Sequence, residues 1–214
     1  MKSIFNYFHI IRPLNVLLSG ATIFIASYLL NETNYYMIFI ISLIVMLLCA
    51  CANIINDLFD INTDKINKPT RPIVLLNNYN FNYHIIILLM VFLLLITTLS
   101  GIYFTWQANL FLFFIFLLIT TYTPFFKGIP LIGNIVISFI LSCVFIFSEM
   151  VLKGNFLYLL YYPSLLTFLL TLIREIIKDI ADMDGDKKSG INTLPVLLGI
   201  NFSKYFLISI LIVL

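Results

Sequence analysis

Charge is scarce in this sequence: 12 Lys and Arg and 10 Asp and Glu make up 10% of 214 residues. A soluble domain usually carries about 25%, so too little charged surface is available to cover a water-exposed globule. With 62% of its residues hydrophobic, the chain reads as a polytopic membrane protein. A formal net charge of +2 is too small to suggest a nucleic-acid partner. Cysteine is sparse as well. Cys49, Cys51 and Cys143 all fall inside apolar runs, which reads as small buried hydrophobes rather than disulfide partners or ligands. His9 and His84 stand alone in the sequence, as interfacial side chains would. No small-residue site closes the first apolar run, so no cleavable signal peptide is expected.

The apolar residues are arranged in long runs. A helix needs about 20 mostly apolar residues to cross a bilayer, and that criterion predicts spans near 14–30, 37–58, 84–104, 108–123, 131–150 and 157–178. A seventh is expected to begin near Lys204 and to be cut off by the chain end, because "FLISILIVL" rises only about 14 Å as a helix. The fold class expected is all-α: a transmembrane helical bundle of six complete spans and a truncated seventh. If the spans alternate, eleven basic residues lie on one side and only Lys153 on the other. The positive-inside rule then makes the amino terminus and the loops after spans two, four and six cytoplasmic. Tyr35, Tyr36 and Trp106 suit an interfacial aromatic belt.

Against that background the acids are concentrated. Eight of the ten fall within residues 57–64 and 175–186, after the second and sixth spans. Asn53, Asp57, Asp60 and Asp64 share the offsets 0, 4, 7 and 11 with Glu175, Asp179, Asp182 and Asp186, at a constant displacement of 122 residues. On a helix those offsets point to about 0°, 40°, −20° and 20°, so each set forms a narrow polar stripe. The match resembles an internal repeat whose corresponding helices serve one site.

Clustered carboxylates at a membrane boundary repel one another and cost about 2.5–3.5 kcal/mol each on insertion scales. A divalent cation offsets both penalties. Carboxylate and amide oxygens without clustered His or Cys suit Mg²⁺, which typically shares its sphere with substrate phosphates. A diphosphate is therefore the expected substrate group, with Lys68, Arg71, Lys127, Arg174 and Lys178 placed to neutralise it. Asn53 is a neutral oxygen ligand by its place in the stripe. Lys65, Lys187 and Lys188 read as topology charges only.

"NDLFDINTD" at 56–64 resembles the NDxxDxxxD motif of the UbiA-type intramembrane prenyltransferase superfamily, and "KDIADMDGD" at 178–186 resembles its second aspartate-rich motif. "RPLN", "NKPTRPI", "YTPFFKGIPLIGN" and "GINTLPVLLG" extend the resemblance along essentially the whole chain. Within the superfamily the sequence is most similar to geranylgeranylglycerol-phosphate geranylgeranyltransferases, which attach a second prenyl chain in ether-lipid synthesis. The resemblance implies one domain over 1–214, a helical bundle around a central cavity, with its last helices lacking. It implies a polyprenyl diphosphate donor, a membrane-associated lipid acceptor and a cytoplasmic active site. It also implies that Asn56, Asp57, Asp60 and Asp64 share one Mg²⁺ region, and Asp179, Asp182 and Asp186 another. Tyr122 and Lys127 correspond to a Tyr–Lys element, but stand five residues apart where many relatives have four.

Other readings are an aromatic acceptor such as 4-hydroxybenzoate, an ion-coupled transporter, and a non-catalytic relative that binds prenyl diphosphates. A transporter predicts acids near the bilayer midplane, whereas both stripes lie at the cytoplasmic boundary. The Asp-Gly motif of CDP-alcohol phosphotransferases is not matched by "DGDKKSG" at 184–190.

Overall fold

A computed structural model of the chain describes residues 9–76, 91, 92, 95, 99 and 102–214. Among these residues the regular structure is entirely helical. The helices are α1 Pro13–Leu29, α2 Tyr35–Phe59, α3 Ile61–Asn67, α4 Pro72–Leu76, α5 Trp106–Thr121, α6 Ile132–Lys153, α7 Tyr161–Lys188 and α8 Leu194–Val213, with one π-helical turn at Tyr122–Phe126. Five of the predicted spans therefore have their helices. The span predicted at 84–104, with His84, falls almost wholly outside the described residues.

The starts of these helices follow local chemistry. Pro13 occupies the first turn of α1, where its missing N–H costs no hydrogen bond. The Asn34 side chain accepts from the Met37 N–H at 3.2 Å, and Thr105 accepts from Ala108 at 3.4 Å, capping α2 and α5. Among the described residues, four apolar stretches are long enough to cross a membrane: Tyr35–Phe59, Trp106–Phe126, Ile132–Lys153 and Leu194–Ile212. α1 is a shorter apolar helix of 17 residues. The 28 residues of α7 rise about 42 Å, so its charged end projects beyond the apolar part.

The last helix corrects the sequence reading. It begins at Leu194 rather than near Lys204 and runs for 20 residues. Pro195 and Gly199 masked its first turns. The proline sits in the opening turn, where it is tolerated, and at Gly199 (φ 82°, ψ 164°) the backbone leaves helical geometry, so that two helical segments meet across a kink.

Ile23, Ile38, Ile41, Leu112 and Cys143 form the main core between α1, α2, α5 and α6, while Leu172, Ile176, Leu194 and Ile210 join α7 to α8. Cys51 and Cys143 are buried and all three cysteines are free, as the sequence suggested. Many large apolar side chains point outward, Phe24, Phe39 and Phe113 among them, which suits contact with lipid rather than water. Tyr35, Tyr36 and Trp106 stand exposed at the starts of α2 and α5.

The two acids outside residues 57–64 and 175–186 are structural. Glu149 is 0% exposed and accepts from the Leu157 and Leu160 N–H groups, the latter at 2.8 Å. It thereby satisfies two main-chain donors of the turn leading into α7. Glu32 pairs at 2.7 Å with Lys153, the single basic residue on its side of the predicted topology, tying the α1–α2 turn to the end of α6.

Candidate functional site

At the end of the bundle opposite the Glu32–Lys153 pair, helices α1, α2, α3, α5, α6 and α7 enclose a cavity of about 650 Å³. Its deeper wall is apolar, with Leu48, Leu112, Ile140 and Phe147 among its side chains, and the predicted acids and bases gather at the other end.

The first stripe is carried across a break between helices. α2 ends at Phe59 and α3 begins at Ile61, but the hydrogen bonds Asp60 N to Asn56 O (3.0 Å), Asp64 N to Asp60 O (2.8 Å) and Lys68 N to Asp64 O (2.8 Å) keep the four-residue register. Asn53, Asn56, Asp60 and Asp64 consequently all line the cavity. The second stripe lies on the continuous α7, where Glu175, Asp179, Asp182 and Asp186 line the same cavity. The two stretches, separated in sequence by more than a hundred residues, thus face one space.

α3 docks directly on α7. The Asn67 side-chain amide donates to the Asp182 carbonyl at 3.1 Å, and Lys68 lies 2.5 Å from the Asp182 carboxylate. A Cβ at Gly185 would overlap the Asn67 carboxamide, so the absence of a side chain there is what lets the two acidic stretches approach.

Each predicted base meets an acid. Lys127 pairs with Asp60, Arg71 with Asp64 and, at 3.4 Å, with Asp57. Arg174 and Lys178 flank Glu175 at 2.7 and 2.5 Å, one turn of α7 before Asp179. Lys187 and Lys188 are exposed and do not line the cavity.

The five-residue spacing of Tyr122 and Lys127 has a structural counterpart. The Lys127 N–H donates to the Tyr122 carbonyl at 2.9 Å, closing the π-helical turn. Five residues bring a π turn round much as four bring round an α turn, so both side chains reach the cavity. The extra residue is absorbed in the backbone rather than displacing either group.

Several residues at the site were not singled out by the sequence. Arg12 pairs with Asp57; Asn134 donates to Asp179 at 2.8 Å; Thr123 donates to Asn56 at 3.4 Å. All three line the cavity, whereas Asp57 does not. Arg12 in "RPLN" and Asn134 in "IGN" sit in stretches the resemblance had marked, which was the available signal.

Electrostatics at the acidic end of the cavity favours a cation. Burial raises the pKa of Asp64, against the lowering influence of Arg71. Beyond the apolar part of α7, burial and then the neighbouring Asp179 and Asp182 push Asp186 up to about 6. Among the described residues, no three His, Cys, Asp or Glu side chains converge closely enough to hold an ion by themselves. Mg²⁺ does not require that: it is commonly held by one or two carboxylates with water and substrate phosphate completing its sphere. The oxygen-only donors and the mutual repulsion around Asp186 fit such an ion.

Residues 16–214 match the model of the UbiA prenyltransferase family. Among curated proteins, the chain is 33% identical over 213 residues to the digeranylgeranylglyceryl phosphate synthase of Methanobrevibacter smithii, covering 97% of this chain and 74% of that one. It is 34% identical over 199 residues to the enzyme of the same name from Pyrococcus horikoshii, covering 90% and 69% respectively. A solved structure described as a digeranylgeranylglyceryl phosphate synthase in membranes superposes with a TM-score of 0.71 at 28% identity, over 100% of this chain and 75% of that chain.

Proposed function

The chain belongs to the UbiA prenyltransferase family, a multi-pass membrane enzyme, and from that premise we propose that it transfers a geranylgeranyl group from geranylgeranyl diphosphate to geranylgeranylglyceryl phosphate. The product would be digeranylgeranylglyceryl phosphate, the compound named in its relatives. The observation that carries this reading is one cavity with an apolar wall at one end and two facing carboxylate stretches at the other. Such a space accommodates a long prenyl tail and a charged headgroup together. With membership of the family, the transporter and phosphotransferase alternatives fall away.

Members of this family generally use Mg²⁺ with the diphosphate. Asn56, Asp60 and Asp64 on one side, and Asp179, Asp182 and Asp186 on the other, are the residues that would hold it. When bound there, Mg²⁺ supplies positive charge against the negative charge that develops on the diphosphate. Lys68, Arg71 and Lys127 already sit among these carboxylates and would donate to the diphosphate oxygens. Such preorganised charge acts where charge develops in the transition state.

The allylic carbon–oxygen bond breaks, and its electron pair leaves with the diphosphate. The glyceryl hydroxyl oxygen then bonds to the allylic carbon and its proton is released, giving an ether. Leu48, Leu112, Ile140 and Phe147 would keep water from the cation in the interval, and the Tyr122 ring would offer it an aromatic face. Eleven of the twelve Lys and Arg residues fall on the predicted inner side, which supports a cytoplasmic mouth for the cavity.

The test is prenyl transfer by the purified protein in lipid, using labelled geranylgeranyl diphosphate with geranylgeranylglyceryl phosphate, 4-hydroxybenzoate and a naphthoate as acceptors. Product with the glyceryl phosphate alone is expected. Product with an aromatic acceptor instead would overturn the acceptor while leaving the donor chemistry in place.

A further inference from the structure

The first acidic stripe is not uniform. Asp57 is 2% exposed and does not line the cavity, although Asn56 and Asp60 on either side of it do. Its carboxylate is turned to two guanidinium groups from outside α2: Arg12, at the start of α1, and Arg71, just before α4. Both arginines line the cavity. We propose that Asp57 is a positioning residue that holds Arg12 and Arg71 as a pair of anion-binding groups, and that Arg12 is thereby a ligand of the substrate diphosphate.

The backbone around Arg12 supports this assignment. Arg12 is left-handed (φ 55°, ψ 70°) immediately before Pro13, a conformation unfavourable for a residue with a Cβ. The turn is held from α2, where the Asn53 amide donates to the Ile11 carbonyl at 3.0 Å. Asn53 and Asp57, one helical turn apart, thus grip the main chain before Arg12 and the side chain of Arg12 itself. A conformation so fixed from two points orients the guanidinium rather than leaving it on a free stem.

Charge and donor counts agree. Asp57 and Asp64 are matched by Arg12 and Arg71, so this group of four is neutral. A guanidinium has five N–H donors; Arg12 spends one nitrogen, Nη2, on Asp57, leaving others for an anion in the cavity. Both guanidiniums meet the same oxygen of Asp57, Oδ1, on a side chain that does not line the cavity. To serve a metal in the cavity its carboxylate would have to turn away from both guanidiniums, whereas Asp60 and Asp64 line the cavity as they stand. The same stripe therefore divides its labour: Asp60 and Asp64 face the cavity, and Asp57 faces the arginines that border it.

The proposal rests on the reading of the cavity as a diphosphate site, and its test needs no turnover. Mn²⁺ binding is followed by electron paramagnetic resonance, and inorganic diphosphate binding by calorimetry, on the purified protein in nanodiscs. Asp57→Asn should weaken diphosphate binding about tenfold or more, as loss of a charged hydrogen bond does, with Mn²⁺ affinity held. Arg12→Gln should also weaken it, and the double variant should bind no more weakly than Asp57→Asn alone, because the effect of Arg12 is already contained in that of Asp57. Asp60→Asn should instead weaken Mn²⁺. Arg12→Gln alone carries the test should Asp57→Asn fail to fold. Loss of Mn²⁺ affinity in Asp57→Asn as large as in Asp60→Asn, or unchanged diphosphate binding in Arg12→Gln, would overturn the proposal. A wild-type protein that binds neither probe would overturn the functional reading, and this inference with it.

Discussion

The Lys68 ammonium lies 2.5 Å from the Asp182 carboxylate, a contact between residues 114 apart in sequence. It joins the end of the first acidic stretch to the middle of the second at the cavity. With the neighbouring Asn67–Asp182 hydrogen bond, it makes α3 a bridge between the two halves of the site.

Lys68 therefore has two roles, joining α3 to α7 and presenting a cation to the cavity. Lys68→Gln should raise the half-saturating donor concentration about tenfold, the loss typical of a charged hydrogen bond. Steady-state kinetics with varied geranylgeranyl diphosphate checks this; an unchanged value would place Lys68 outside the diphosphate contacts.

The π turn at Tyr122–Phe126 makes a prediction about spacing. Deleting Phe125, whose side chain is exposed, leaves Tyr122 and the lysine four residues apart, and an ordinary α turn can then present both. That deletion should retain activity. Inserting an alanine after Phe125 should lower turnover about 100-fold, a cost typical of misplacing a reacting group by about 1 Å. Loss of activity in the deletion would show that the π turn has a role beyond absorbing a residue.

How much of this was legible in advance depends on whether a feature is local to one helix. The two stripes were visible because the 0, 4, 7, 11 spacing is a property of a single helix, and the register survives even across the α2–α3 break. Arg12 and Asn134 reach the site from other elements, and spacing within a stripe carries no information about what packs across from it. Asp57 shows the same limit from the other direction. It shares the stripe with Asp60, yet only the packing of α1 and of the segment before α4 turns it from the cavity. The start of α8 was obscured because Pro195 and Gly199 signal a loop, although the first is harmless in an opening turn and the second marks a kink between two helical segments.

Glu149 offers a contrast, being buried, charged and away from the cavity. Glu149→Ala removes the acceptor for the Leu157 and Leu160 N–H groups, and each buried donor left unpaired costs about 1–3 kcal/mol. A lower Tm in detergent is expected, with the Mg²⁺ concentration for half-activity unchanged. A shift in that concentration would connect Glu149 to the site.

The central claim is that the two acidic stretches form one diphosphate site, and the most direct test is turnover by Asp60→Ala and Asp182→Ala. Each variant, purified in lipid, would be assayed with labelled geranylgeranyl diphosphate and geranylgeranylglyceryl phosphate, and its membrane insertion verified separately. Each should lose at least about 100-fold in kcat, the scale of removing one preorganised electrostatic group, while inserting normally. Wild-type turnover in both correctly inserted variants would contradict the claim that these stretches carry the reaction.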